Sequence, residues 1–542
     1  MARGDVSTTD TLASDVSLPS LPPAAWARAH LHVGVLFAIA AASLALRLDI
    51  ARSTSLWLDE MYTLRDVNRG FVRLLIGPNF DHPGLAYTAT KLGMLLFGES
   101  DAGVRAASLA FGTATLFAVY WLAIELGFGR FRALAAVATL ALAPLFVRQA
   151  VEARHYAPLM FFASLSALAV LRIEREPHRT RHYALLFGST LATLLTHYYG
   201  VTSIAAAYGG VCYVAFAAYR RRSGATRSLV RGLTFSAGPL LLLCAGIAAV
   251  RYGRIANRYG IGDDDPASIS ALTALDRLLS DFSPLHAAPA VAYVAPLFAL
   301  LYLAELFTTR RAAALTLLAC LAVPVAGLAA MGNGIAFRPK YAIAAFVVYH
   351  LLFVAGLCSA LERAARFVSN HVSNGASVRF SELLPGVAVG VLLLARIVEF
   401  PAGYSAGTVH HAGLRDYLRA AGEKTRLVCY VGYVCRQLMV GRYAVEPEPM
   451  TLEKFRKRPG VERYLVAEFH VEGEREKKFA SLLRKHFGLD EKAWNALPLV
   501  ELPETRYHPA VRARLLDASG ASPKKPRKKA RRERDSARTD GR

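Results

Sequence analysis

The apolar residues of this 542-residue chain fall in blocks of roughly bilayer-spanning length, and that pattern decides the class. Eleven such blocks stand out, near 31–48, 104–126, 132–147, 156–173, 183–198, 200–219, 233–251, 289–306, 313–331, 341–361 and 383–400. Blocks of this length satisfy their own backbone as helices, the form a chain needs in hydrocarbon. Composition agrees: 54% of residues are hydrophobic and only 19% charged, where a soluble chain carries about a quarter charged residues. Disorder along the whole length is excluded, because so much apolar surface does not stay in water. The expected fold is an all-α polytopic membrane protein of about eleven transmembrane helices, with a small C-terminal α/β domain outside the membrane. Residues 84–97 are apolar but too short to span, and read as a helix lying at the interface or re-entering it.

Charge then orients the chain. The formal net charge is +23, and ten Lys/Arg against three acids sit after Pro523. Basic loops recur in one phase: five arginines in Arg220–Arg231, four in Arg172–Arg181, the pair Arg310–Arg311, and three in Arg363–Arg379. Arginine and lysine hold short loops in the cytoplasm, so this charge serves topology and nucleic-acid binding is not expected. The reading is a multi-pass protein of a bacterial cytoplasmic (inner) membrane. Residues 1–29 form a disordered cytoplasmic N-terminus with no cleavable signal, followed by a signal anchor. Residues 30–401 form the membrane domain, with 49–103, 148–155, 252–288 and 332–340 outside. Residues 402–516 form the extracytoplasmic α/β domain and 517–542 a disordered basic tail. Cys212, Cys244, Cys320 and Cys358 lie in apolar blocks, whereas Cys429 and Cys435 lie in the outer domain, paired or separately buried.

Polar residues where a purely structural membrane chain avoids them mark candidate chemistry. Leu56–Tyr62 (LWLDEMY) places Asp59 and Glu60 together at the outer edge of the first span. Neighbouring carboxylates in low dielectric repel, which raises a pKa and suits proton abstraction from a hydroxyl; two solvated acids in an interfacial loop fit the same string. In Asp81-His82-Pro83, Asp81 reads as an N-cap and Pro83 as an early helical residue, with His82 free to orient a carboxylate or phosphate. In Gln149–Tyr156 (QAVEARHY), Glu152 and Arg154 form a local ion pair or, turned toward Asp59, bind sugar hydroxyls. Arg338-Pro339-Lys340-Tyr341 puts two cations on the outer side, to clamp a lipid phosphate or to snorkel. His197-Tyr198-Tyr199 closes an apolar span, as substrate contact or aromatic belt.

The ordered set LWLDEMYT, DHPGLAY, QAVEARHYAPLM, THYYG and FRPKYAIAA resembles the bacterial family 39-type glycosyltransferases of the protein-mannosyltransferase superfamily, with relatives among the aminoarabinose lipid A transferases and galacturonosyl transferases of lipopolysaccharide core. The resemblance covers about 31–400. It implies a GT-C fold and an inverting transfer of sugar from a polyprenyl-phosphate donor to a hydroxyl of a glycolipid, lipopolysaccharide or protein acceptor on the outer face. It implies Asp59 as catalytic base with Glu60 beside it. Substrate binding would fall to His82, Glu152, Arg154, Tyr156, His197, Tyr198, Arg338, Lys340 and Tyr341. No metal is required, although Asp59 and Glu60 have the chemistry to hold a divalent ion. The chain departs from the family in having His82-Pro83-Gly84 for its usual HPP, and Lys340-Tyr341 for its arginine–tyrosine pair. The alternative is a multi-span transporter or lipid flippase, which tends to carry its polar residues near the midplane and in repeated halves. A polysaccharide ligase or polymerase would use a large late outer loop, for which 252–288 is the candidate.

Overall fold

The computed structural model describes residues 23–405 apart from 55, 68, 77–81, 260–270, 286–287, 331–338 and 372–376, and beyond 405 a small set that is mostly strand. Asp81, Arg338, Cys435 and the acidic run 263–265 therefore lie outside the described residues, as does most of 402–542.

Among the described residues, sixteen helices make up the membrane region. The first five are α1 (Pro23–Ser53), α2 (Leu58–Val67), α3 (Phe71–Ile76), α4 (Leu85–Phe97) and α5 (Asp101–Glu125). They are followed by α6 (Arg130–Ala141), α7 (Pro144–Val151), α8 (Tyr156–Arg175), α9 (Thr180–Thr196), α10 (Gly200–Arg220) and α11 (Ala225–Tyr259). The set ends with α12 (Ala271–Phe282), α13 (Pro289–Thr309), α14 (Arg311–Ala330), a 3-10 turn at Pro339–Ala342, α15 (Ile343–His371) and α16 (Ser377–Ser405). Seven of them, among the described residues, are long and apolar enough to cross a bilayer: α1, α5, α8, α10, α13, α14 and α15. The chain is a multi-span membrane protein. Each of the other expected spans coincides with a helix: α9, α11, α16 and the pair α6–α7.

The block at 132–147 is not one continuous span. It breaks into α6 and α7, bent by 64°. Pro144 opens α7 at its first turn, and Ala143 before it is extended (φ −66°, ψ 124°), the conformation a following proline enforces. Seven of the eight residues of α7 are buried. The segment read as interfacial or re-entrant is α4, a 13-residue apolar helix. Its N-cap is Gly84, with no side-chain cap, so Pro83 precedes the helix and is not its early residue.

α15 is the central helix: 94% of its spanning window is buried, against 28% for α1. It crosses α13 so closely that a Cβ on Gly356 would sit 1.8 Å from the Phe298 carbonyl oxygen, a small-residue contact of the kind that membrane helices use to approach. α5 packs on α1, α4, α6 and α8. Its start is fixed by Ser100, whose hydroxyl accepts the Gly103 N–H at 3.0 Å, and by Asp101 in the positive first turn.

Among the described residues, five strands follow the membrane region: β1 (Thr425–Cys429), β2 (Met450–Thr451), β3 (Arg463–Ala467), β4 (Leu499–Leu502) and β5 (Val511–Asp517). They form one sheet in the order β2-β1-β3-β5-β4. β1 is parallel to β2 and β3, and β5 is antiparallel to β3 and β4.

Candidate active site

The chemistry gathers at one end of the bundle, where α1 stops, α5 starts and the connections α7–α8, α9–α10 and the 3-10 turn meet. Its foundation is Glu60. The side chain is 0% exposed and its partner Arg105 is 3% exposed. Arg105 grips Glu60 with two nitrogens, Nε to Oε1 at 2.8 Å and Nη2 to Oε2 at 2.7 Å. The Glu60 oxygens also accept the Ala153 N–H at 2.8 Å and the Trp57 N–H at 3.1 Å. Arg105 Nη1 spends its hydrogens on the Ala51 and Thr54 carbonyls and the Thr54 hydroxyl, at 3.1, 2.8 and 2.8 Å. A buried pair holds only when such extra bonds satisfy it. Here they fasten three pieces of chain to each other: the end of α1, the start of α2 and the loop 152–155.

Asp59 and Glu60, expected side by side as catalytic residues, take different surroundings in the structure. Glu60 is an anchor, and both of its oxygens are engaged by protein donors. Asp59 faces the other way and is 27% exposed. Its Oδ2 lies 3.6 Å from Lys340 Nζ and 4.0 Å from Arg154 Nη2. Arg154 Nη1 donates to the Asp59 carbonyl at 3.0 Å and to Thr63 Oγ1 at 3.2 Å. Among the described residues Arg154 thus pairs with Asp59, and not with Glu152 as a local pair would have it.

Lys340 sits between rings as well as beside Asp59. Its Nζ is 4.9 Å from the Trp57 ring centroid and 5.3 Å from that of Tyr156, within cation–π range. Tyr341 stacks on Tyr199 at 5.3 Å and 6°, and lies 6.4 Å from Tyr156. His82, His155 and His197 form a ring cluster with centroids 4.0–4.9 Å apart, and Tyr198 lies 6.5 Å from His82. Of the expected site residues, Asp59, His82, Glu152, Arg154, Tyr156, His197, Tyr198, Lys340 and Tyr341 come together at this end. Arg338 is outside the described residues.

The concentration of unsatisfied polar atoms sets this region apart. Glu152 Oε2, Arg154 Nε, His155 Nε2, His197 Nε2, Trp57 Nε1 and the Tyr199 hydroxyl are all buried without a hydrogen-bond partner. Native chains leave few such groups, and those they leave ask for a reason; a polar substrate that completes them is one. Burial pushes the Glu152 carboxyl up to about 7, against the opposing pull of the Lys340 ammonium. Burial also pushes His197 down to about 3, helped by Arg154 and Lys340, and drives His155 well below its ordinary value, so both rings are neutral.

One nitrogen from each of the three histidines lies within 4.8 Å of the others, a spacing that invites a metal. The hydrogen bonding does not fit one. Tyr199 N–H donates to His197 Nδ1 at 3.0 Å, which puts the neutral ring's own proton on Nε2 and leaves it no second lone pair to give an ion. The cluster offers instead one committed donor and further neutral ring nitrogens, the polarity that hydroxyls match.

Sequence reasoning missed Arg105, Trp57, Thr63 and His155. Trp57, Thr63 and His155 stood inside the quoted strings, and only their nearness to other chain segments gives them significance. Arg105 has no sequence signal, being one arginine in the first turns of an apolar helix.

Residues 81–240 match the family model described as dolichyl-phosphate-mannose-protein mannosyltransferase. No curated protein matches the sequence significantly. Among solved structures, the chain is similar to ArnT from Cupriavidus metallidurans in the apo state, at 15% identity and a TM-score of 0.48 over 92% of this chain and 100% of that one. The same protein bound to undecaprenyl phosphate gives 15% identity and 0.49 over 93% and 100%. The archaeal oligosaccharyltransferase AglB from Archaeoglobus fulgidus, in complex with an inhibitory peptide and a dolichol-phosphate, gives 13% identity and 0.47 over 88% and 73%. The family match spans α4 to the middle of α11, which carries His82, Arg105, Glu152, Arg154, His155 and His197. The similarity to that family therefore covers residues 81–240 of the 542-residue chain.

Proposed function

We propose that the chain moves a sugar from a polyprenyl-phosphate donor to a hydroxyl of an envelope glycolipid, lipopolysaccharide or protein, at the outer face of a bacterial inner membrane and with inversion. The N-terminus is cytoplasmic in this reading and the strand-bearing C-terminal region extracytoplasmic. One observation carries the proposal: a carboxylate from the first connection, Asp59, meets a cation from the far side of the sequence, Lys340, at 3.6 Å, with Arg154 4.0 Å away. An enzyme that splits sugar from lipid phosphate needs this composition. The phosphate leaves as an anion without protonation, so the site must neutralise charge that grows on it. Lys340 and Arg154 supply that charge, and Arg338 adds to it by its place in the sequence. The acceptor hydroxyl must give up a proton as its oxygen attacks, which calls for a carboxylate of the same site. The neutral histidines, Tyr198 and Tyr199 bind the hydroxyl-rich ring. The mechanism needs no metal.

A donor with an isoprenoid tail is dissolved in the bilayer, while the acceptor meets the site from water. A site at the mouth of a helix bundle serves both.

The test is transfer from a synthetic polyprenyl-phosphate hexose or pentose by the full chain in proteoliposomes, with envelope glycolipid extract as acceptor. Asp59→Asn and Lys340→Met should each remove most transfer while the protein still inserts. Full turnover in both variants would sink the proposal.

A further inference from the structure

We propose that Glu152 takes the acceptor's proton, and that Asp59 acts instead as the counter-charge that fixes Lys340 and Arg154. The inference rests on the transfer chemistry proposed above and assigns its base. Asp59 lies against two cations at 3.6 and 4.0 Å. A carboxylate so placed is engaged in holding the two cations in position. Glu152 is differently situated. Its Oε2 is buried with no partner, and among the described ion pairs it makes none. The loop that carries it is bolted to α2 on its following residues, by Ala153 N–H to Glu60 at 2.8 Å and by Arg154 to the Asp59 carbonyl at 3.0 Å. Position is therefore fixed while the oxygen stays open, the combination a base needs.

The groups that act on Glu152 come from every side: Asp59 and Glu60 from α2, Lys340 from the 3-10 turn, and Arg148 from α7. Arg154, His155 and Tyr156 follow it in the chain, Arg105 stands on α5, His82 and Tyr87 on the α4 side, and His197, Tyr198, Tyr199 and Tyr341 close the ring cluster. Burial dominates and holds the acid at about 7, where it is matched to its task at neutral pH. His155 and His197 are pushed too low to compete. In the step, the acceptor O–H bond breaks and its proton passes to a Glu152 oxygen. The freed lone pair forms the new bond to the anomeric carbon. The old bond to phosphate oxygen breaks, with its electron pair leaving on the polyprenyl phosphate.

The experiment is the pH profile of transfer in proteoliposomes, read as polyprenyl phosphate released from a synthetic polyprenyl-phosphate hexose or pentose. The wild-type rate should rise with pH through an acid limb near 7. Glu152→Gln should lose about 10²–10⁴-fold at neutral pH and lose the limb with it. Glu152→Asp should keep a limb at reduced rate. Asp59→Asn should be slow yet keep a limb, moved to lower pH because a negative charge that raised the Glu152 pKa is gone. Lys340→Met should move it to higher pH for the opposite reason. These opposed shifts are ones that a merely structural role does not produce. A limb that survives in Glu152→Gln and disappears in Asp59→Asn overturns the assignment while leaving transfer itself standing. A wild-type chain that releases no polyprenyl phosphate overturns the transfer reading and the assignment with it.

Discussion

The two ends of the bundle carry charge in opposite ways. At the far end from the site, the acids and arginines are paired near the surface. Arg175 meets Glu125 at 2.7 Å, Arg310 meets Glu174 at 2.7 Å, Arg363 meets Glu305 at 2.6 Å, and Arg132 clasps Glu362. Arg175 there is 61% exposed. At the site end one charged pair is buried and locked, and several buried polar atoms are left open. A helix bundle needs only the first arrangement to finish its ends. The second costs stability unless something polar completes it, so the contrast locates function without reference to any motif.

The sharpest way to break that contrast is to remove one half of the buried pair. Arg105→Ala leaves Glu60 charged, buried and without its guanidinium, and Glu60→Ala strands Arg105. Each should cost about 3–5 kcal/mol, the typical penalty for an orphaned buried charge. The readout is a lowered unfolding midpoint in detergent together with lost transfer. Since the pair holds the α2 and 152–155 segments, stability and activity should fall together. Unaltered stability in either variant would show that the latch is not what holds this end.

Lys340 separates the two properties. Its ammonium lies beside Asp59 and two rings. Lys340→Met should reduce transfer by about 10²–10³-fold, the usual effect of deleting one charge-stabilising donor. Its midpoint should move far less than that of Arg105→Ala. A large drop in midpoint with unimpaired transfer per folded molecule would reverse the assignment of roles.

The open groups also predict how stability follows pH. Glu152 has its pKa raised from 4.5 to about 7 in the fold. Between those values the folded state binds more protons than the unfolded one, so this group makes stability fall as pH rises. His197 is lowered from 6.5 to about 3, and His155 is lowered too. For them the unfolded state binds more protons below 6.5, so they make stability rise with pH and reach full effect above that value. From pH 4.5 to 6.5 the two rings outweigh the one acid, by roughly one proton net. Glu152→Gln should therefore steepen the rise of the unfolding midpoint in this window. A shallower rise in the variant would mean that the fold does not hold the Glu152 proton.

How much of this was legible beforehand differs between the two ends as well. The helical class followed from block length, and each block became helix, because backbone desolvation leaves the chain no alternative. The break at Leu142–Pro144 was missed, since hydropathy averages over a proline that geometry does not forgive. At the site, residue type and order brought Asp59, Glu152, Arg154, His197 and Lys340 forward, but not their division of labour. Asp59 and Glu60 are adjacent in the string and sit at successive positions of α2, which points them about 100° apart. One therefore meets Arg105 in the interior while the other meets Lys340 at the opening. Arg105 was invisible, as was the role of His155, because partners 45 and more residues away define them.

The weakest effects belong to the far end, and they complete the comparison. Arg310 reaches across elements: Nη2 pairs with Glu174 and Nη1 donates to the Glu125 carbonyl at 2.6 Å, where α5 leaves its last carbonyls without helical partners. It is partly exposed, so solvent screens the pair, and Arg310→Ala should cost about 1 kcal/mol. Arg175 has one exposed ion pair with Glu125, and its acid keeps Arg172 at 3.7 Å when Arg175 is removed. Arg175→Ala should thus shift the unfolding midpoint by less than Arg310→Ala, with both variants transferring sugar at the wild-type rate. High salt should shrink the difference between each variant and wild type, because screening already removes what the substitution deletes. If instead Arg175→Ala lost as much as Arg105→Ala, exposure would not be what divides the two ends. The open polar atoms would then lose their standing as the mark of the site.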